Sequence, residues 1–166
     1  MATQFVERIA VETDGSGDDV LLIHGLGGTS NVWMPLMPSL MRHRTVRPDL
    51  PGSGRSARVE GPLTIDRFVQ AMLRVCAALH VERAHVVAHS MGTIVAFHLA
   101  NVAPQLVRSL ALFGPLLAPP DPMPKLVTPA ALRSKLSTAP KPKRLLNRAW
   151  LNRFISAALD VTPPAA

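Results

Sequence analysis

The run His85-Val-Val-Ala-His-Ser-Met-Gly92 constrains the fold of this chain more than any other, because an apolar strand passes through one serine straight into a helix with no loop between. A serine on such a strand-to-helix turn takes a strained backbone conformation that lifts its hydroxyl above the end of the sheet. Small residues two positions before and after it leave room for the neighbouring strand and helix. Those positions are Ala88 and Gly92, so the first glycine of a strict G-x-S-x-G is replaced by another small residue. The competing expectation is that Ser90 merely caps the helix that follows.

The rest of the first 115 residues alternates in a way that suits such a turn. Phe5–Glu12 reads as a strand, and the turn residues 13–18 are expected to fold it into a hairpin with Val20–His24. Val20–His24 is continuously apolar, as in a strand covered on both faces. Asn31–Met41 is expected to be helical despite Pro35 and Pro38, and Thr45–Asp49 to be a short strand. Thr64 suits an N-cap, and Ile65, Phe68, Val69, Met72, Leu73, Cys76 and Leu79 or His80 recur at helical spacing. A strand at His85–Ala88, a helix from Met91 to Val102 and a strand at Leu106–Phe113 complete the series. The fold class expected is α/β, a mostly parallel sheet with helices on both faces and ligands beyond the carboxyl ends of its strands.

A second signal is His24-Gly-Leu-Gly-Gly28, again just past a strand. Acyl transfer needs donors aimed at the oxygen that becomes negative in the tetrahedral intermediate, and the backbone N–H groups of Leu26 and Met91 can serve. His24, Gly25, Gly27, Gly28 and Gly92 are then the residues that shape and support these loops. A dinucleotide-binding Rossmann-like reading competes, because Gly25-Leu-Gly-Gly-Thr-Ser30 approximates G-x-G-x-x-G and Asp49 stands where a ribose-binding acid would. Ser30 fails the third glycine, and that reading leaves the Ser90 turn without a purpose.

Charge separates the chain into two parts. Residues 1–124 hold ten Arg, no Lys and ten acids, whereas residues 125–166 hold eight basic residues against Asp160, so the whole net charge of +7 lies in the tail. All ten glycines lie at or before Gly114, and ten of the sixteen prolines lie from Pro115 onward. Residues 1–120 are therefore expected to form one core, and 121–166 an atypical Pro-rich, basic tail, either a truncated lid or a frame-altered segment. A neutral body argues against a nucleic-acid partner. No stretch is long and apolar enough for a membrane span, and a single Cys76 with no secretory pattern at Met1–Gly15 points to a cytoplasmic address.

The runs VLLIHGLGGTSNVW (20–33), RPDLPGSGRS (47–56), AHVVAHSMGT (84–93) and VRSLALFGP (107–115) together resemble the α/β-hydrolase superfamily, and within it bacterial enzymes similar to 3-oxoadipate enol-lactonases. The resemblance covers about residues 5–120. It implies Ser90 as nucleophile, Leu26 and Met91 as oxyanion donors, a carboxylic ester or lactone as substrate, and neither metal nor cofactor. It also implies an acid and then a histidine later in the chain, on a sheet of eight strands with a lid. Against that pattern, the six histidines end at His98, and the only acids after Ser90 are Asp121 and Asp160. The triad histidine is thus absent and the triad acid unassigned. His24, His89 and His98 are each expected to be structural rather than the general base.

The fold is accordingly expected to stop after about its sixth strand, with Leu106–Phe113 as an exposed edge through which the chain self-associates. Residues 145–159 have the pattern of a basic amphipathic helix, expected to lie over this edge or to form no stable structure, with a membrane-surface helix as the competing expectation. Two function classes follow. One is an ester or lactone serine hydrolase, inactive alone for want of its base. The other is a non-catalytic remnant or binding module that holds a small carbonyl compound.

Overall fold

The computed structural model describes residues 2–56 and 60–115. The expected boundary at 120/121 and the 145–159 helix lie outside the described residues.

Among the described residues six strands form one sheet: β1 (Ala2–Val6), β2 (Ile9–Asp14), β3 (Asp19–Ile23), β4 (Arg44–Pro48), β5 (Ala84–His89) and β6 (Val107–Phe113). Their order is β1-β2-β4-β3-β5-β6. β4, β3, β5 and β6 run parallel, and β1 and β2 are antiparallel additions at one side. Residues 24, 49, 90 and 114 therefore emerge at the same end of the sheet.

The expected hairpin of Phe5–Glu12 with Val20–His24 does not form. The hairpin lies within the first stretch: β1 and β2 meet at Val6 and Ile9, and Glu7 in the two-residue turn adopts φ 52°. Glu-Arg is not among the dipeptides that announce such a turn, which hid it in the sequence. β4 then occupies the place beside β2, pairing Val11 with Pro48, while its other edge pairs Val46 with Leu21. Val20–Ile23 and Thr45–Pro48 are buried on both faces alike, so apolar pattern alone could not say which of them neighbours β2.

Two clusters fill the two faces. On one, Leu21, Ile23, Val86 and Ala88 meet α1 (Ile65–Ala78) and α2 (Met91–Val102) through Phe68, Met72, Ile94 and Leu99. On the other, Val20, Leu22, Val87 and Phe113 meet Trp33, Leu36 and Leu40. The second face is thus covered by a 3-10 segment, Ser30–Ser39, rather than the α-helix expected over Asn31–Met41. Pro35 and Pro38 supply no N–H donor, which breaks the i→i−4 ladder. α1 begins where expected, with Thr64 accepting from the Arg67 N–H at 3.3 Å. Its buried stripe is rotated slightly from the expected one, taking in Ala71 and Val75 while Leu73 and Leu79 are half-buried and His80 is exposed.

Candidate active site

Ser90 sits between the last residue of β5 and the first of α2, at φ 53° and ψ −124°. A non-glycine residue there is strained, at a cost on the order of 1–3 kcal/mol, and persists only because neighbours over-determine it. They do so on both sides. Ser90 N–H donates to Phe113 O on β6 at 2.9 Å, and Ser90 O accepts from the Thr93 N–H at 2.9 Å and the Thr93 hydroxyl at 2.6 Å. The Ser90 side chain makes no capping hydrogen bond to α2. Helix capping therefore does not account for this serine, and its half-buried hydroxyl is left for something else.

Two glycines let the surrounding chain come this close. A Cβ on Gly92 would stand 2.5 Å from Ile23 O and 2.7 Å from His24 O, so α2 packs its first turn directly on the end of β3. A Cβ on Gly25 would stand 2.9 Å from Ser90 Cβ and 3.1 Å from His89 O. The loop that carries Leu26 thus lies against the serine, as the pairing of β3 with β5 requires. Leu26 is about half exposed, Gly27 takes φ 71°, and Gly28 N–H closes a turn on Gly25 O at 3.1 Å. Met91, the other expected donor, is the first helical residue after Ser90, where backbone N–H groups have no partner within the helix.

His24 is fully buried, and both of its ring nitrogens are engaged: Nδ1 lies 2.8 Å from Gly25 O, and Nε2 accepts the Leu50 N–H at 2.9 Å. These partners fix the neutral tautomer with its proton on Nδ1. Burial pushes its pKa down, against the opposing pull of the Gly25 carbonyl and Asp49. With its one lone pair already taken, His24 has no means of receiving a proton from Ser90. His98 is exposed on α2, eight residues on and hence roughly 12 Å along the helix axis. His89 is exposed at the end of β5, with Nδ1 3.3 Å from the Cβ position of Gly25.

Asp49, weighed in the sequence as a ribose-binding acid, is fully buried and holds its own chain instead. Its Oδ1 accepts the Ser30 N–H at 2.6 Å and its Oδ2 accepts the Arg55 N–H at 3.0 Å. Both carboxylate oxygens are taken up by the protein's own donors, and the dinucleotide reading loses its acid. Sequence reasoning missed the part played by Arg55 and Glu12 in holding this loop; the only signal was a polar run, Ser53–Ser56, between apolar elements. A shallow depression of about 170 Å³, lined by residues including Asp14, Leu40, His43 and Thr45, opens at the other end of the sheet, away from Ser90. Among the described residues no group of His, Cys, Asp and Glu could hold a metal ion, and no helix is long and apolar enough to cross a membrane.

Comparison with known proteins agrees with this geometry. The model of the alpha/beta hydrolase fold family matches residues 19–163. The provisionally named carbamate hydrolase RutD of Azorhizobium caulinodans is 41% identical over 102 residues, covering 61% of this chain and 38% of that protein. A pimeloyl-[acyl-carrier protein] methyl ester esterase of Methylococcus capsulatus is 37% identical over 103 residues, 61% of this chain and 39% of the esterase. A hydrolase of Pseudomonas aeruginosa superposes with a TM-score of 0.60 at 34% identity, over 63% of this chain and 40% of that one. The chain spans about two fifths or less of the relatives it matches. With a family model matched across most of its length and the strand order and serine turn described above, the chain belongs to the α/β-hydrolase fold family.

Proposed function

We propose that this chain is the nucleophile-bearing part of a serine hydrolase acting on a carboxylic ester or lactone, of the enol-lactonase type that its motifs resemble. The observation that carries this reading is Ser90 itself, held at φ 53° with the Gly25 loop packed against its Cβ. In the mechanism proposed, Ser90 Oγ adds to the substrate carbonyl, and the N–H groups of Leu26 and Met91 stabilise the resulting oxyanion. His24, Gly25, Gly27, Gly28 and Gly92 shape and fix the loops that present these groups. No metal or cofactor enters this scheme. Among the described residues no acid–histidine pair completes a triad.

A fluorophosphonate probe is expected to label the chain slowly and at Ser90, with the label lost in Ser90→Ala. Labelling at other serines while Ser90 stays untouched would remove the nucleophile assignment. The second reading is a binding module that holds a small carbonyl compound without turning it over. It is favoured by one observation: His24, the histidine packed beneath the oxyanion loop, has no free lone pair.

The reading extends to the setting of the chain. Cys76 is buried and its thiol is pushed up to about 12 by that burial, which makes it unreactive toward disulfide exchange; the cytoplasmic address proposed rests on this cysteine being single in the sequence. β6 ends the sheet of described residues, and Val107, Leu110 and Leu112 on it are only half-buried. Over residues 107–112 such an edge would offer backbone donors and acceptors to a second copy. Light scattering at tens of micromolar, on the order of the concentrations at which exposed edges associate, is expected to show oligomers; a stable monomer sinks this part of the proposal.

A further inference from the structure

The loop after β4 carries a polar cluster that the nucleophile scheme leaves unused. Arg55 sends Nε to Asp49 Oδ2 at 3.2 Å, Nη1 to Glu12 Oε1 at 2.7 Å and Nη2 to Ser30 Oγ at 3.1 Å. Asp49 in turn binds Ser30 through its backbone N–H, so one carboxylate and one guanidinium both grip the residue at which the 3-10 segment starts. Burial alone would raise the Asp49 pKa, but the backbone N–H groups of Arg55 and Ser30 and the side chains of the same two residues hold it below the usual carboxylate range. A buried carboxylate kept ionised by this many donors is a rigid fixture rather than a surface charge.

The position of Ser30 gives the cluster its meaning. Residues 25–29 form the loop that carries Leu26, and Ser30 is where that loop ends. Its beginning is held by His24, which reaches Gly25 O and takes the N–H of Leu50, the residue after Asp49. Both ends of the loop are therefore fastened to the same point, the carboxyl end of β4: the front through Leu50 and His24, the rear through Asp49.

We propose that Asp49, clamped by Arg55, is a positioning residue that sets the placement of the 25–30 loop and, through it, the distance from the Leu26 N–H to the reacting carbonyl at Ser90. Its chemical meaning rests on the serine-hydrolase reading above. A carboxylate can accept on both oxygens, whereas an asparagine amide has one acceptor oxygen and must turn its NH₂ toward either Ser30 N–H or the Arg55 donors. Asp49→Asn therefore releases one side of the clamp without changing its size.

Two measurements on the full chain test this. Amide hydrogen exchange is expected to accelerate roughly 10–100-fold over residues 25–30 in Asp49→Asn, the scale of a lost hydrogen bond to a charged group, with α1 protection unchanged. Fluorophosphonate labelling of Ser90 is expected to slow by about 10–100-fold, since small misplacement of a reacting group costs up to ~10²-fold. Arg55→Gln, at a side chain 41% exposed, provides the same test if Asp49→Asn folds poorly, and Arg55→Lys should fall between it and the parent. Exchange that rises equally in α1, or does not rise in the loop, overturns the proposal, and so does loop-selective exchange with an unaltered labelling rate. If the parent chain takes no label at Ser90, the hydrolase reading fails, and the exchange ratio still decides whether Asp49 places the loop.

Discussion

Purified as these 166 residues, the chain is expected to turn over p-nitrophenyl acetate or an enol-lactone far more slowly than ~1 s⁻¹, the lower end of ordinary enzyme rates. An oxyanion site without a general base retains roughly 10³–10⁴-fold acceleration over water in enzymes stripped of triad members. The structure narrows where a base could come from. His24 was the most natural substitute by position, yet its Nε2 lone pair accepts the Leu50 N–H and burial keeps the ring neutral. His98 lies out along α2. A stopped assay with Ser90→Ala as blank decides the matter. Turnover above ~1 s⁻¹ that vanishes in that variant would mean His89 or a second chain takes the proton, and that the slow-enzyme expectation is wrong.

The second large effect concerns Gly92. Replacing a helical glycine by alanine ordinarily stabilises by up to ~1 kcal/mol. Here the new methyl would meet the carbonyl oxygens of Ile23 and His24 at 2.5 and 2.7 Å. Those are backbone atoms at the end of an interior strand and cannot rotate away. Forced overpacking of this kind costs about 1–3 kcal/mol or more, so Gly92→Ala should lower stability by about 2 kcal/mol net. For a chain of 166 residues that is a fall in Tm of roughly 4–8 °C. Thermal unfolding followed by circular dichroism measures it, and an unchanged or raised Tm would show that α2 does not sit as close to β3 as described.

The elements that form the candidate site were the most legible in the sequence. The strand–serine–helix run is short and local, and small residues at Ala88 and Gly92 are required by close approach, so the turn could be read without tertiary information. The same holds for α1, whose apolar spacing and Thr64 cap are local signals. Pairing was not legible. That β4 lies between β2 and β3 is a long-range pairing, and the sequence Arg-Thr-Val-Arg-Pro, whose polar Thr45 and Arg47 are buried as fully as Val46, carries no pattern that names its neighbours. The covering of the second face by a 3-10 segment turned on Pro35 and Pro38, which take two N–H donors out of the helical ladder, while Trp33 and Leu36 are buried all the same. The part Asp49 plays was not legible for a related reason: an acid at the end of a strand looks alike whether it awaits a ribose or holds its own loop, and only the donors around it distinguish the two.

The strand order has a consequence for how the chain is made. β3, at the middle of the sheet, pairs with β5 from Asp19 to Ala84, a partner sixty-five positions downstream. At synthesis rates of ~5–20 residues per second, β3 waits roughly 3–13 s beside the growing chain before that partner exists. During this interval Val20–Ile23, which end with no exposure at all, have one open edge and nothing of their own to close it. The same long-range pairing that brings Gly25 up against Ser90 thus places the nascent chain's greatest risk of misassembly before the serine has been translated.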